Sequence, residues 1–108
     1  MIKVTFTESG KKLSLRVEGH AEYAEHGKDI VCASATILAY TVAQYIREHK
    51  SEFESIEEVR LDIGDTYISC EPNEELWHEM QNAFMFAKIG FAVLEHNFPQ
   101  YVRLNAPT

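Results

Sequence analysis

A histidine and a cysteine twelve residues apart have the chemistry of a nucleophile and its base. His20 lies in a glycine-bearing segment, and Cys32 falls where a helix is expected to begin. A helix N-terminus lowers a thiol pKa through its unpaired N–H groups and positive dipole end, and an imidazole can take the proton. Twelve residues are enough for a loop that folds back on itself. The pair therefore fits covalent catalysis by a thiolate.

Each residue of the pair also has an ordinary structural explanation. A lone cysteine is often a small buried hydrophobe, and a histidine can cap a loop. The spacing alone favours that explanation, because it cannot show that the two side chains meet. Three features count against it: the expected position of Cys32 at a helix start, the histidine in the loop that leads into that helix, and the small neighbours Ala33, Ser34 and Ala35, which leave room for a substrate backbone.

A metal site is the second candidate, formed by His20, His26, Cys32 and Cys70. The five-residue gaps between the first three match none of the usual short-spaced zinc patterns. His26 fits a solvated loop residue, and Cys70 alternates in phase with Ile68, which predicts a core-facing position. We therefore expect neither a metal nor another cofactor.

Length and charge limit the class of protein and its partners. The 108 residues are enough for one domain over 1–108 with a single core. A net charge of −7 repels phosphate, so we expect a basic peptide or protein as partner and no direct nucleic acid. No apolar run approaches the roughly 18 residues of a membrane span. Two cysteines without a secretion signal predict free thiols in the cytoplasm.

Alternation and helical spacing predict the order ββαββαβ. The expected elements are strands over 2–7, 13–17, 59–63, 66–70 and 101–104, and helices over 30–49 and 73–97. This order indicates an α+β fold with two helices packed on a mostly antiparallel or mixed sheet. Asp29 is the expected N-cap of the first helix, which makes Cys32 its third residue.

The second helix has apolar residues on more faces than one small core can cover. They are Phe84, Met85, Phe86, Ile89, Phe91, Val93 and Leu94. Such a helix is either buried deep in the core or forms a subunit interface. We take the second possibility as the prediction of a homodimer.

The segment that holds the pair resembles the signature of the ribosomal-processing cysteine proteases, the Prp family. The shared residues are Gly19-His20-Ala21, then Gly27, then Asp29-Ile30-Val31-Cys32-Ala33. The chain is also similar to the family in length, in element order and in its C-terminal Tyr-Val-Arg-Leu. This motif is far more specific than a bare Cys–His pair, and it favours catalysis over the structural explanation.

The resemblance implies a small cysteine peptidase, usually a homodimer, with His20 and Cys32 as its catalytic pair. It also implies the substrate, which would be a large-subunit ribosomal protein (number twenty-seven) that loses a short N-terminal extension. Such a substrate is basic and matches the acidic charge of this chain. The residues predicted to bind the peptide are Gly19, Ala21, Gly27, Asp29, Ala33 and Thr36.

Three finer expectations accompany the resemblance. The family usually has a serine where this chain has Thr36, and because the hydroxyl is kept we expect activity to survive. Backbone N–H groups near the helix start are the expected oxyanion donors. Asp29 is expected to cap the helix rather than to orient His20.

A rival hypothesis is a non-catalytic peptide-binding or protein-binding domain on the same fold. Both hypotheses predict a cleft at the helix start, but only the enzyme predicts a reactive thiol there. A purely structural domain predicts neither the cleft nor the thiol.

Overall fold

Five strands form one mixed sheet in the computed structural model, which describes residues 1–25 and 29–105. The strands are β1 (Ile2–Ser9), β2 (Lys12–Glu18), β3 (Phe53–Asp62), β4 (Asp65–Pro72) and β5 (Val102–Asn105). Their order across the sheet is β3-β4-β2-β1-β5, and each neighbouring pair is antiparallel except β1 and β5. The two hairpins therefore lie side by side, and β5 closes one edge.

Two long helices complete the predicted ββαββαβ order. They are α1 (Ile30–Glu48) and α2 (Trp77–Asn97), and short 3₁₀ turns follow α1 and precede α2. The helices contact each other and share one hydrophobic core with the sheet. Phe6 of β1 meets Phe84 and Phe91 of α2 edge to face, with centroids 6.2 and 5.9 Å apart. The α+β prediction is thus confirmed.

Alternation decides which strand residues enter the core. Val4, Val17 and Thr66 are aligned across β1, β2 and β4, and all three are buried. The next row, Thr5, Arg16 and Tyr67, points to the opposite face, because side chains alternate along a strand. Burying one large apolar side chain contributes about 1.5–3 kcal/mol, so a one-residue slip of register would be costly.

The strand β3 differs from its expected bounds of 59–63. It begins at Phe53, and its pairing with β4 shifts between Phe53 and Ser55 and again between Ile56 and Glu58. Irregularities of this kind break the period-two pattern on which strand prediction depends. At the other end Ile63 leaves the strand for the β3–β4 turn, where it is 78% exposed.

The second helix begins later than expected. Pro72 is the last residue of β4, and a 3₁₀ turn over Glu74–Leu76 precedes α2. Pro72 lies beyond the last β2–β4 pair, Leu13 with Cys70, so its missing N–H removes no bond of that ladder.

The composition of α1 corrects one expectation. By length and composition this helix could cross a membrane, with a mean hydropathy of 1.3 over 18 residues. Weakly polar Ser, Thr and Gln residues interrupt its apolar run, so the helix lacks a continuous apolar stretch of that length although no charge occurs before Arg47. In the fold one face of α1 packs into the core, through Val31, Ala35, Ala39, Val42, Ala43 and Ile46.

Candidate active site

The start of α1 presents Cys32 at the third helical position, as predicted. Asp29 caps the helix with extended backbone, and its Oδ1 accepts the N–H groups of Val31 and Cys32 at 3.0 and 2.9 Å. Such a cap satisfies helix donors that would otherwise lack partners. The sulfur is therefore carried by a rigid helical turn and not by a loop.

The second oxygen of Asp29 secures the preceding loop. Its Oδ2 accepts the N–H groups of Tyr23 at 3.0 Å and Ala24 at 3.4 Å. Burial opposes ionisation of this carboxyl, but the backbone hydrogen bonds, that of Cys32 foremost, outweigh it and lower the pKa of Asp29. In the described residues its carboxylate bonds only backbone N–H groups, so the role found for Asp29 is the cap.

The sulfur of Cys32 has a backbone hydrogen-bond donor. The N–H of Ala21 donates to Sγ at 3.4 Å, and the Ala21 side chain is itself buried. The next residue, Glu22, has a φ of +57°, a conformation that is uncommon outside glycine. The Ala21 N–H therefore ties the sulfur to the loop that precedes α1.

His20 lies two residues beyond the end of β2, beside the turn that joins β3 to β4. The N–H of Gly19 donates to the Gly64 carbonyl oxygen at 2.9 Å, and the Met1 ammonium donates to the His20 carbonyl oxygen at 2.5 Å. Within 1–25 and 29–105 no hydrogen bond joins the imidazole to Cys32 Sγ. The two side chains nevertheless face the same cavities.

An open cleft of about 570 Å³ lies over the helix start. It is lined by His20, Glu22, Ala24, Asp29, Cys32, Ala33, Thr36, Tyr40 and Ile63. A smaller cavity of about 80 Å³ adjoins it between His20, Cys32 and the β3–β4 turn. Cys32 therefore borders open space that a substrate could enter.

The residues predicted to bind peptide fall into distinct positions. Asp29, Ala33 and Thr36 line the large cleft, and Gly19 lines the small cavity. Ala21 is buried beneath the cleft, where its N–H and not its methyl reaches the site. Gly27, together with His26, lies outside the described residues.

The expected oxyanion donors are not free at the helix start. The N–H groups of Val31 and Cys32 are bonded to the Asp29 carboxylate, and that of Ala33 donates to the Asp29 carbonyl oxygen at 3.1 Å. All three groups are therefore already bonded: the N-cap occupies two of the donors that the expectation assigns to an oxyanion, and the helical backbone bond occupies the third.

Sequence reasoning missed Tyr40, Ile63 and Gly64. Tyr40 had a signal, since Cys32, Thr36 and Tyr40 are four residues apart and share one helix face. Ile63 and Gly64 had none, because only the pairing of β2 with β4 brings their turn to the site. The Tyr40 hydroxyl donates to the Leu61 carbonyl oxygen at 3.4 Å, which links α1 to that hairpin.

Cys70, the other cysteine, lies in the core and not at the cleft. Cys70 is fully buried on β4, as predicted, four residues beyond Thr66 of the small cavity. Burial and then the negative charge of Glu57 raise the pKa of the Cys70 thiol to about 12. In the part of the chain that the structure describes, no three His, Cys, Asp or Glu side chains gather as a metal site.

A cysteine on a helix start and a histidine in the same cleft are the residue types that a thiol-dependent hydrolase uses. The family model described as cysteine protease Prp matches residues 1–103, so the chain belongs to that family. Its members are cysteine proteases, and the resemblance seen in the motif is confirmed.

Individual relatives agree with the family match. A "ribosomal processing cysteine protease Prp" from Bacillus subtilis is 45% identical over 42 residues, which is 37% of this chain and 38% of that protein. A protein of the same name from Staphylococcus aureus is 24% identical over 96% of this chain and 95% of its own length. A crystal structure of the S. aureus protease Prp with a covalently linked product peptide has a TM-score of 0.75 at 25% identity, covering 99% and 100% of the two chains.

Proposed function

We propose that this protein is a cysteine endopeptidase that removes the N-terminal extension of a large-subunit ribosomal protein, number twenty-seven. The proposal combines the membership of this chain in the family with the substrate that the resemblance of its motif implies. Support comes from relatives named as ribosomal processing proteases and from a solved neighbour described with a covalently linked product peptide.

The single observation that carries the proposal is the position of Cys32 and His20 on one open cleft. The sulfur sits on a capped helix start, the imidazole lines the same cavity, and a backbone N–H points at the sulfur. A nucleophile, a base and a donor for developing negative charge are the parts that acyl transfer requires.

In the proposed mechanism His20 takes the thiol proton, and Cys32 Sγ attacks the scissile carbonyl carbon. The carbonyl oxygen becomes an oxyanion, and we assign the Ala21 N–H to this charge, because Sγ loses its negative charge and becomes a weak acceptor once it bonds to carbon. His20 then gives its proton to the leaving amine, and water hydrolyses the thioester. The imidazole and the sulfur approach each other when peptide binds, since catalytic hydrogen bonds are often long without substrate.

Charge supports a basic substrate. The chain has 17 acidic against 10 basic residues, and Glu22 and Asp29 both line the large cleft. Opposite charge on the peptide would speed encounter and hold it near the sulfur. A cytoplasmic location and the absence of a metal requirement belong to the same proposal, and both cysteines are free thiols.

The test is to incubate the protein with the ribosomal protein precursor that carries its extension and to measure the products by mass spectrometry. We expect one cut that releases the extension, abolished in Cys32→Ala and in His20→Ala. Cys70→Ser is the matched control and should retain most activity. A precursor that binds but stays intact would favour the non-catalytic rival, and cleavage by Cys32→Ala would overturn the mechanism.

A further inference from the structure

We propose that Gly64, at the tip of the β3–β4 hairpin, is a positioning residue for the imidazole of His20. The kinetic part of this inference rests on the proposed function, whereas its geometric part does not. The three atoms nearest to a Cβ built on Gly64 all belong to the His20 ring, so its effect on catalysis would pass through His20.

Strand pairing brings the turn to the histidine. Glu18 at the end of β2 pairs with Asp65 at the start of β4, and the next residue, Gly19, donates its N–H to the Gly64 carbonyl oxygen at 2.9 Å. The backbone on either side of the contact is therefore fixed by the sheet. Because His20 directly follows Gly19, its side chain leaves the chain against the turn.

The contact with the imidazole requires that residue 64 have no side chain. A Cβ built on Gly64 would lie 2.6 Å from His20 Nε2 and 2.8 Å from Cε1. Contacts under 3.0 Å are essentially never seen for a real Cβ, so the ring would have to leave its place. The glycine thus forms the surface on which the Nε2–Cε1 edge of the ring rests.

The backbone conformation at this turn also favours glycine. A test must therefore distinguish the effect of backbone strain from the effect of the contact with His20. Gly64 has a φ of +74°, and Gly10 in the β1–β2 turn has a closely similar φ of +62°. A Cβ on Gly10 meets nothing within 4 Å. Gly10→Ala therefore imposes comparable backbone strain without touching His20, which makes it the matched control for Gly64→Ala.

The experiment compares these two variants in cleavage kinetics and in the NMR signals of the His20 ring. We expect Gly64→Ala to lower kcat on the order of 100-fold with little change in KM, because misplacing a catalytic group costs about that much. The pH profile of Cys32 alkylation and the His20 ring resonance should shift in Gly64→Ala and not in Gly10→Ala. These last two readouts need no peptide substrate, so they test the contact even if the proposed substrate is wrong.

If the two variants agree in kcat, alkylation profile and ring resonance, Gly64 is only a turn residue and the proposal fails. Should Gly64→Ala not fold, the double variant His20→Ala/Gly64→Ala decides. Recovery of the double variant to the denaturation midpoint of Gly10→Ala would support the ring contact. Failure of the double variant as well would assign the effect to backbone strain and overturn the proposal.

Discussion

Two cysteines of one small domain lie in opposite environments. Cys32 is half-buried at an open cleft and accepts an N–H at its sulfur, whereas Cys70 is buried with its thiol pKa raised to about 12. Iodoacetamide at neutral pH should therefore label Cys32 first, because thiolate is the reacting form and Cys70 is both protonated and covered. Peptide mapping by mass spectrometry after short exposures measures the order.

Replacing each cysteine by serine tests the same assignment of the nucleophile. Cys32→Ser should be nearly inactive, since a hydroxyl is far harder to ionise than a thiol, while the fold stays intact. Cys70→Ser should remove the slow label and leave the fast one. Faster labelling of Cys70 in the folded protein would contradict the assignment of the nucleophile.

Thr36 lies four residues after the cysteine, where the resemblance to the family's motif implies a serine. Its hydroxyl donates to the Cys32 carbonyl oxygen at 2.8 Å, and the residue lines the cleft. Because Thr36→Ser keeps this hydroxyl and only removes a methyl, we expect a change in stability below about 0.5 kcal/mol and cleavage near the wild-type rate. Urea unfolding and precursor cleavage measure the two. A large gain or loss of kcat would show that the methyl shapes the site.

At the scale of elements, the first turn of α1 and the loop before it depend on one carboxylate. Asp29 accepts four backbone N–H groups, two from the helix and two from the loop. Loss of an N-cap costs about 0.5–2 kcal/mol, so Asp29→Ala should destabilise the fold by about that amount and Asp29→Asn by less. Cleavage should fall with it, because the same turn carries Cys32.

The pKa of Asp29 fixes the pH dependence of this effect. Its folded pKa is lowered, so the ionised cap stabilises the fold fully above the unfolded value, about 3.9. That contribution is lost as the pH falls through the lower folded pKa. Urea unfolding at several pH values should show a constant gap between the protein and Asp29→Ala from neutral pH to about 4, narrowing below. A gap that widens on acidification would contradict the sign of the shift.

Local pattern predicted those features that depend on neighbours in sequence. Asp29 as N-cap, Cys32 at the third helical position and Cys70 facing the core all follow from spacing along single elements. The start of β3 was missed because its irregular pairing breaks alternation. Ile63 was placed in the strand because it continues the alternation of Val59 and Leu61, although it lies exposed in the turn. Gly64 lies against His20 through β2–β4 pairing, which no local spacing reports.

The oxyanion donors show a different limit of sequence reasoning. A helix start suggests free N–H groups, and an aspartate before it suggests a cap, but both cannot hold for the same groups. Only the hydrogen bonds from Val31 and Cys32 to Asp29 decide between them. The Ala21 donor comes from a loop whose conformation, with Glu22 at positive φ, has no sequence signal.

At the scale of the whole molecule, α2 carries two apolar stripes. The inward stripe consists of Met80, Phe84, Ala87, Phe91 and Leu94. The outward stripe consists of Met85, Phe86, Ile89 and Val93, each at least half exposed. The excess of apolar residues seen in the sequence is therefore on the surface and not deep in the core. A contiguous exposed apolar stripe on a small domain is typical of an interaction site.

The homodimer remains our proposal for what covers the outward stripe. A second copy fits because the stripe is uncharged in a chain whose net charge of −7 would otherwise keep copies apart. Phe86 is 76% exposed at its centre, so Phe86→Glu should place a charge in the interface and dissociate the dimer. Light scattering at micromolar concentration should then report the 12.4 kDa species for the variant and twice that mass for the parent.

Two further variants test whether dissociation of the dimer comes from a charge within the outward stripe, or merely from added charge or a changed side-chain size. Ser51→Glu adds the same charge at an exposed residue of the 3₁₀ turn after α1, and Phe86→Leu keeps the stripe apolar; both should remain dimeric. Since Phe86 is mostly exposed within one copy, Phe86→Glu should leave the unfolding of an isolated subunit little changed. A parent protein that scatters only as 12.4 kDa, or a Phe86→Glu variant that stays dimeric, would rule out this stripe as the subunit interface.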